Sequence, residues 1–162
     1  MKIVFETQRL ILRELNLSDS QAFFKLNSDP EVLKHTGDQP FSSTSDALNF
    51  LKNYTDYEVN GFGRWAVISK ESNLFLGWSG LKLNEENMID LGYRFFQKEW
   101  GKGYATEAAR GSLKYGFDKL NIKTIIGRTS IENKASVHIL EKLGMSFWKN
   151  DYCKGFENSA YY

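Results

Sequence analysis

The stretch Trp100-Gly101-Lys102-Gly103-Tyr104-Ala105-Thr106-Glu107-Ala108 decides how the chain is read. It follows a strand-like run, Ile89 to Phe96. Behind it Ala105, Ala108, Ala109, Ser112, Leu113, Gly116, Phe117 and Leu120 recur at helical spacing. Two glycines and a lysine therefore stand at a helix N-terminus. The first N–H groups of a helix have no intrahelical partner and carry the positive end of the peptide dipoles, while glycine lets the main chain approach a phosphate. The turn reads as a pyrophosphate cradle; the alternative is a strand-to-helix turn that binds nothing. Two other phosphate loops are set aside. Lys102 precedes its second glycine, unlike a P-loop, and Thr106 stands where a dinucleotide loop needs a third Gly or Ala.

Around this stretch, Ile89, Leu91, Tyr93 and Phe95 alternate with Asp90, Gly92, Arg94 and Phe96, so two sets of side chains face opposite sides of a sheet. Upstream, Arg64 to Ser69 and Leu74 to Leu81 read as a β-hairpin turned by Lys70 to Asn73, and the three strands suggest an antiparallel meander. Thr124 to Thr129 continues it after the central helix. Near the start, Arg9-Leu10-Ile11-Leu12-Arg13 is a strand, Leu17-Ser18-Asp19 offers a cap for a helix with Ala22, Phe23 and Leu26, and Asp29-Pro30-Glu31 breaks or restarts it. Ser45-Asp46 caps a helix bearing Leu48, Leu51 and Tyr54. Toward the end, Ser136, Ile139, Leu140 and Leu143 line one helical face with Gly144 at a left-handed C-cap, and Met145 to Lys149 and Ser159 to Tyr162 read as closing strands. The expected fold class is α+β.

A chain of 162 residues, 41% hydrophobic and 15% aromatic, has the size and apolar content of one domain, residues 1–162. With 21 basic and 20 acidic residues there is no overall electrostatic case for nucleic acid or anionic membrane. The opening Met1 to Glu6 is too short an apolar run for a secretory signal, and no run reaches transmembrane length, which points to the cytoplasm. Cys153 is the only cysteine, so an internal disulfide and a cysteine-based metal cluster are excluded.

Several ordered motifs together carry a resemblance: Leu91-Gly92-Tyr93, Trp100 to Ala108, Asn133-Lys134-Ala135-Ser136 and Glu141-Lys142-Leu143-Gly144. They resemble the GNAT superfamily of N-acetyltransferases. Thr7-Gln8-Arg9-Leu10-Ile11-Leu12-Arg13 and Ser28-Asp29-Pro30-Glu31-Val32 add a likeness to its branch of ribosomal-protein N-terminal acetyltransferases. The resemblance implies a mixed, mostly antiparallel sheet with helices on both faces and acetyl-CoA as co-substrate, without a metal. It implies coenzyme contacts from Tyr93, Arg94 and Phe95 on the strand and from Trp100, Gly101, Lys102, Gly103, Tyr104, Ala105 and Thr106 in the cradle. The Lys102 side chain either adds charge to a phosphate or is an exposed loop lysine. The acceptor amine is a peptide N-terminus or a small amine such as an aminoglycoside or polyamine, acetylated by a monomer or homodimer; a non-catalytic acetyl-CoA sensor is the rival from another class. His35 and Phe41, in the acceptor-side loops, are candidate substrate contacts, against a solvated histidine and a core anchor.

Direct acetyl transfer needs a neutral amine, a stabilised oxyanion and a proton for the departing thiolate. A peptide α-amine, with a pKa of about 8, is roughly a tenth neutral near pH 7, whereas a lysine amine must give up nearly ~5 kcal/mol to lose its proton. An α-amine acceptor thus tolerates a weak base. The family's tyrosine acid stands seven residues after the motif asparagine, and here that position is Leu140. Ser136 lies one turn earlier on the same helical face and is either the donor to the sulfur or a first-turn capping serine. Asn133 is a coenzyme contact, an N-cap, or both. Asp90 is either a base acting through water or a surface charge beside Glu85 and Glu86. Arg128 replaces a glutamate base of some relatives, and His138 lies off the Ser136 face.

Overall fold

The computed structural model describes residues 2–153 and 156–162, and their side chains except those of residues 152–158, so the Cys153 thiol lies outside the described set. Eight strands run in the order β1-β2-β3-β4-β5-β6-β8-β7: β1 (Ile3–Glu6), β2 (Leu10–Glu14), β3 (Arg64–Ser69), β4 (Phe75–Leu83), β5 (Ile89–Phe95), β6 (Ile126–Ser130), β7 (Lys149–Cys153) and β8 (Phe156–Tyr161). All neighbours are antiparallel except β5 and β6. Among the described residues six α-helices accompany them: α1 (Ser20–Leu26), α2 (Pro30–Leu33), α3 (Thr44–Lys52), α4 (Asp56–Asn60), α5 (Tyr104–Asp118) and α6 (Lys134–Lys142).

Strand alternation sorts the core into two layers. Trp65 and Val67 of β3 join Leu10, Leu12, Leu91 and Phe95 on one face, where α5 lays down Ala108, Ala109 and Leu113. The intervening Ala66 and Ile68 point the other way, with Trp78, onto Phe23 and Leu26 of α1 and Ala47 and Leu51 of α3. The fold is therefore the α+β arrangement expected, with helices on both faces. On α5 the small residues Ala108, Ala109, Ser112 and Gly116 let the helix sit close to the sheet, and Ser112 Oγ meets Ser79 Oγ of β4 at 3.0 Å inside that layer.

Several element bounds shift from expectation. Ser43, not Ser45, caps α3, its side chain accepting from Asp46 N–H. Phe117 is exposed on α5. The closing strand read over Met145 to Lys149 starts only at Lys149: Phe147 and Trp148 are 56% and 54% exposed, their edges on Tyr162 and Tyr161, so an aromatic run that looks like a strand is a surface lead-in. The edge strand β1 was not legible as one; it pairs to β2 through Ile3↔Arg13 and Glu6↔Ile11. Among the described residues no helix is long and apolar enough to cross a membrane.

Candidate active site

The glycine turn stands at a helix N-terminus as the sequence requires, but Trp100 departs from the expectation. A 3-10 turn (Gln97–Glu99) precedes it, and the Trp100 N–H donates to Gln97 O at 3.1 Å, so Trp100 contributes no amide. Gly101 and Gly103 adopt φ of +77° and +81°, the left-handed region that glycine enters without a Cβ penalty. The first helical bond of α5 runs from Glu107 N–H to Gly103 O at 3.0 Å. Among the described residues, no protein group accepts from the N–H groups of residues 101–106, so a row of free donors ends at the positive pole of a four-turn helix. The Lys102 side chain is exposed and pairs with Glu99 at 3.1 Å.

This loop is held from a distance. Glu107 accepts from Thr7 Oγ1 at 2.6 Å, from Arg9 N–H at 2.9 Å and from Arg9 Nε at 2.6 Å, while Arg9 Nη1 donates to Lys102 O at 3.0 Å and the guanidinium lies 4.5 Å from the Tyr104 ring centre. The turn before β2 therefore braces both the loop and the first turn of α5. The motif contained Arg9 and Glu107, yet neither had a visible role, because the link spans 98 residues.

Beside the cradle the sheet splits. Among the described residues β5 and β6 share only the pairs Asp90↔Ile126 and Leu91↔Gly127, so beyond Leu91 no described strand partners β5 on that side. Tyr93 and Arg94 lie on this open stretch. Phe95 does not extend it as a free group: its side chain is 4% exposed in the core and its carbonyl accepts from Trp100 Nε1 at 3.0 Å. The Arg94 side chain is likewise committed, to Asp38 at 2.7 Å and to Asn27 Oδ1.

Two cavities meet here. The larger, about 680 Å³, is walled by the cradle, the end of β5 and α6. The smaller, about 180 Å³, lies over Arg64, Trp78, Asp90 and Gly92. Both are bounded by His35, Thr36, Tyr93, Arg94, Asn133 and Ser136, so these residues form the passage between them. At that passage Tyr93 Oη and Ser136 Oγ are 2.8 Å apart. Burial pushes the Tyr93 hydroxyl up to about 12, against the Ser136 hydrogen bond, so it is protonated throughout the neutral range. Asn133 caps α6, its Oδ1 accepting from Ser136 N–H at 3.2 Å. Leu140 is 1% exposed, and a Cβ on Gly127 would lie 2.8 Å from its Cδ2, so an apolar contact fills the place of the family tyrosine.

Asp90 is neither a solvated charge nor free. Its Oδ2 accepts from Arg128 Nε at 2.6 Å, and Arg128 reaches on to Glu85 at 2.7 Å. Burial pushes the Asp90 carboxyl above its ordinary range, and the Arg128 guanidinium opposes that rise. Glu85, exposed, is held down to about 2, chiefly by its hydrogen bond from Arg128. His35 borders both cavities, while Phe41 packs on Phe23 and Phe50 as a core anchor. His138 is exposed at the edge of the larger cavity. Sequence reasoning missed Arg64 and Trp78, which share the smaller cavity; both sat inside a strand pattern that gave no hint of their facing a cleft.

Comparisons with known proteins agree with this geometry. The family profile described as acetyltransferase (GNAT) domain matches residues 9–146. The uncharacterized N-acetyltransferase p20 of Bacillus licheniformis is 32% identical over 156 residues, covering 94% of this chain and 86% of its own. A GNAT-family acetyltransferase structure from Bacillus anthracis superposes with a TM-score of 0.81 at 30% identity, over 100% of this chain and 96% of that one. The spermidine N-acetyltransferase of Vibrio cholerae, solved with CoA and spermine, superposes at 0.80 with 22% identity, over 96% of each chain. With the family profile matching residues 9–146 and a relative 32% identical over 94% of its length, this chain belongs to the GNAT acetyltransferases and is an acetyl-CoA-dependent N-acetyltransferase.

Proposed function

We propose that residues 1–162 form one catalytic unit that acetylates a primary α-amine, on the pattern of the ribosomal-protein N-terminal acetyltransferases its sequence resembles. Donor and acceptor meet in a ternary complex with no covalent enzyme intermediate. The observation that carries this reading is the junction of the two cavities at the Tyr93–Ser136 hydroxyl pair, with free amides at the far end of the larger one.

The residues divide the work. The N–H groups of residues 101–106 grip the diphosphate, and the open stretch of β5 at Tyr93 and Arg94 takes the pantetheine arm in place of a strand. Acetyl-CoA supplies an acyl group on a thiol of pKa about 8.5, which can depart with help from a hydrogen-bond donor alone. Tyr93 and Ser136 provide that donor: a hydroxyl pair in which one O–H is oriented by the other can hand a proton toward the sulfur. Asn133 fixes the first turn of α6 and so the Ser136 hydroxyl. Asp90, lifted by burial, is the base on the acceptor side, acting through water on an amine that is already partly neutral.

The acceptor-side charge balance favours an α-amine over a polyamine. A polycation needs uncompensated carboxylates, yet Asp90 is already claimed by Arg128, and Arg64, Lys82, Arg94 and Arg128 all border the smaller cavity. Polyamine acetylation, suggested by the Vibrio cholerae relative, is the second reading. Thiol release from acetyl-CoA across peptide N-termini, free amino acids, spermidine and an aminoglycoside tests both. Release with an α-amine at least tenfold faster than with spermidine is expected. Preference for spermidine would overturn the acceptor assignment, and tight coenzyme binding with no amine-dependent release would favour a sensor.

A further inference from the structure

The smaller cavity contains a cation without a counter-ion. Arg64 stacks 4.8 Å from the Trp78 ring centre and 5.5 Å from that of Phe50, and among the described residues no carboxylate pairs with it. The neighbouring guanidinium, Arg94, lies 5.6 Å from the same Trp78 ring but is already matched by Asp38. Burial lowers the Arg94 pKa, and the charge of Arg64 adds to that lowering, so the two cations feel each other. Trp78 itself is 6% exposed, and among the described residues its indole N–H finds no acceptor. Buried donors are ordinarily satisfied, but this nitrogen is closed to the surface, so the unmatched Arg64 guanidinium is the group a ligand in the cavity can meet.

The benzo edge of Trp78, not its N–H, faces the reaction centre. Register pairs Arg64 with Gly80 and Gly80 with Gly92, with no side chain at either glycine, and the Trp78 ring edge covers Gly92, within 3.0 Å of where its Cβ would stand. Gly92 adjoins Tyr93, the residue at the passage between the cavities.

We propose that Arg64, laid on the Trp78 ring, forms an anion subsite that selects acceptors carrying a carboxylate a few atoms from the reacting amine. This rests on the smaller cavity being the acceptor site. Arg64 provides a planar fork suited to two carboxylate oxygens, and the ring beneath it fixes its plane. A free amino acid and a peptide with an acidic first residue share this chemistry.

The test separates recognition from turnover. With saturating CoA, N-acetylglycine is titrated against N-acetylglycinamide, and N-acetylaspartic acid amide against N-acetylasparagine amide, following the Trp78 indole ¹H–¹⁵N resonance, assigned with Trp78→Phe. At least one acid should bind tenfold or more tighter than its amide and shift that resonance. In Arg64→Gln the preference should fall to within twofold, with Arg64→Lys intermediate. The first pair identifies an amino-acid acceptor and the second an acidic peptide. Equal binding of acid and amide to the unmodified protein, no binding of any of the four, or a preference that survives Arg64→Gln would overturn the subsite. Failure of the transferase reading shows up separately, as absent thiol release with every amine while coenzyme still binds.

Discussion

Replacing Tyr93 by Phe deletes one oxygen of the 2.8 Å hydroxyl pair and leaves the ring in place. Ser136 Oγ then loses its partner in a half-buried site, which at the usual net worth of one hydrogen bond costs about 1 kcal/mol of stability. For a domain of this size that lowers Tm by only ~2–4 °C. Turnover should suffer more, because a positioned general acid is worth roughly 10²–10⁴ and a lone serine hydroxyl, free to rotate, keeps part of that; a fall in kcat of about 10–100-fold is expected. Ser136→Ala should cost a similar factor, and the double variant little more than either, since the two hydroxyls act as one donor. On the proposed reading coenzyme affinity is set at the cradle and should stay within about twofold across the cycle. The alkaline limb adds a check. Because the folded Tyr93 keeps its proton to about 12, its ionisation should not depress kcat below pH 11, while stability should decline as pH rises from the unfolded tyrosine value near 10 through the folded value. Thiol-release kinetics with acetyl-CoA and a saturating acceptor measure all three variants. Normal turnover in Tyr93→Phe, or strictly additive losses, would refute the shared-donor reasoning.

Glu107→Ala removes the acceptor of three hydrogen bonds at a partly exposed site; the loss should be about 2 kcal/mol, or ~4–8 °C in Tm, with weaker CoA binding by isothermal titration, and an unchanged melt would sink the brace. Gly103→Val should lose coenzyme affinity and also fold less well, by at least ~1–2 kcal/mol, because φ of +81° opposes a branched side chain. Gly103→Asn, which tolerates that region, should melt within about 1 kcal/mol of the parent, its Cβ meeting only the movable end of Arg9 at 3.3 Å. Leu140→Tyr should not raise kcat and should destabilise by roughly 1–3 kcal/mol, since the larger ring must force its way against Gly127; a gain in turnover in kinetic assay would contradict the packing.

How much was legible depends on the range of the interaction. The alternation in Ile89 to Phe95 and the glycines around Lys102 are local signals, and both the strand and the turn into α5 stand where those residues put them. Asn133 as a helix cap was legible for the same reason. Register between distant segments was not: Tyr93 and Ser136 are 43 positions apart, and only the split of β5 from β6 brings α6 over the strand. Asp90 shows the same limit. Its neighbours Glu85 and Glu86 suggested a solvated acidic turn, but the partner that decides its state, Arg128, arrives from β6 across the sheet. The C-terminal error had another cause, since Phe147 and Trp148 have strand-forming side chains and yet lie on the surface.

The parting of β5 from β6 also bears on how the chain behaves among its own copies. A strand whose amides and carbonyls go unanswered is a template for runaway association, and proteins usually blunt such edges with charge, proline or a bulge. Here the unpaired stretch borders a cavity walled by α6 and by His35 and Thr36, which stand between it and a second sheet. Those walls should keep crowded protein from polymerising through that edge.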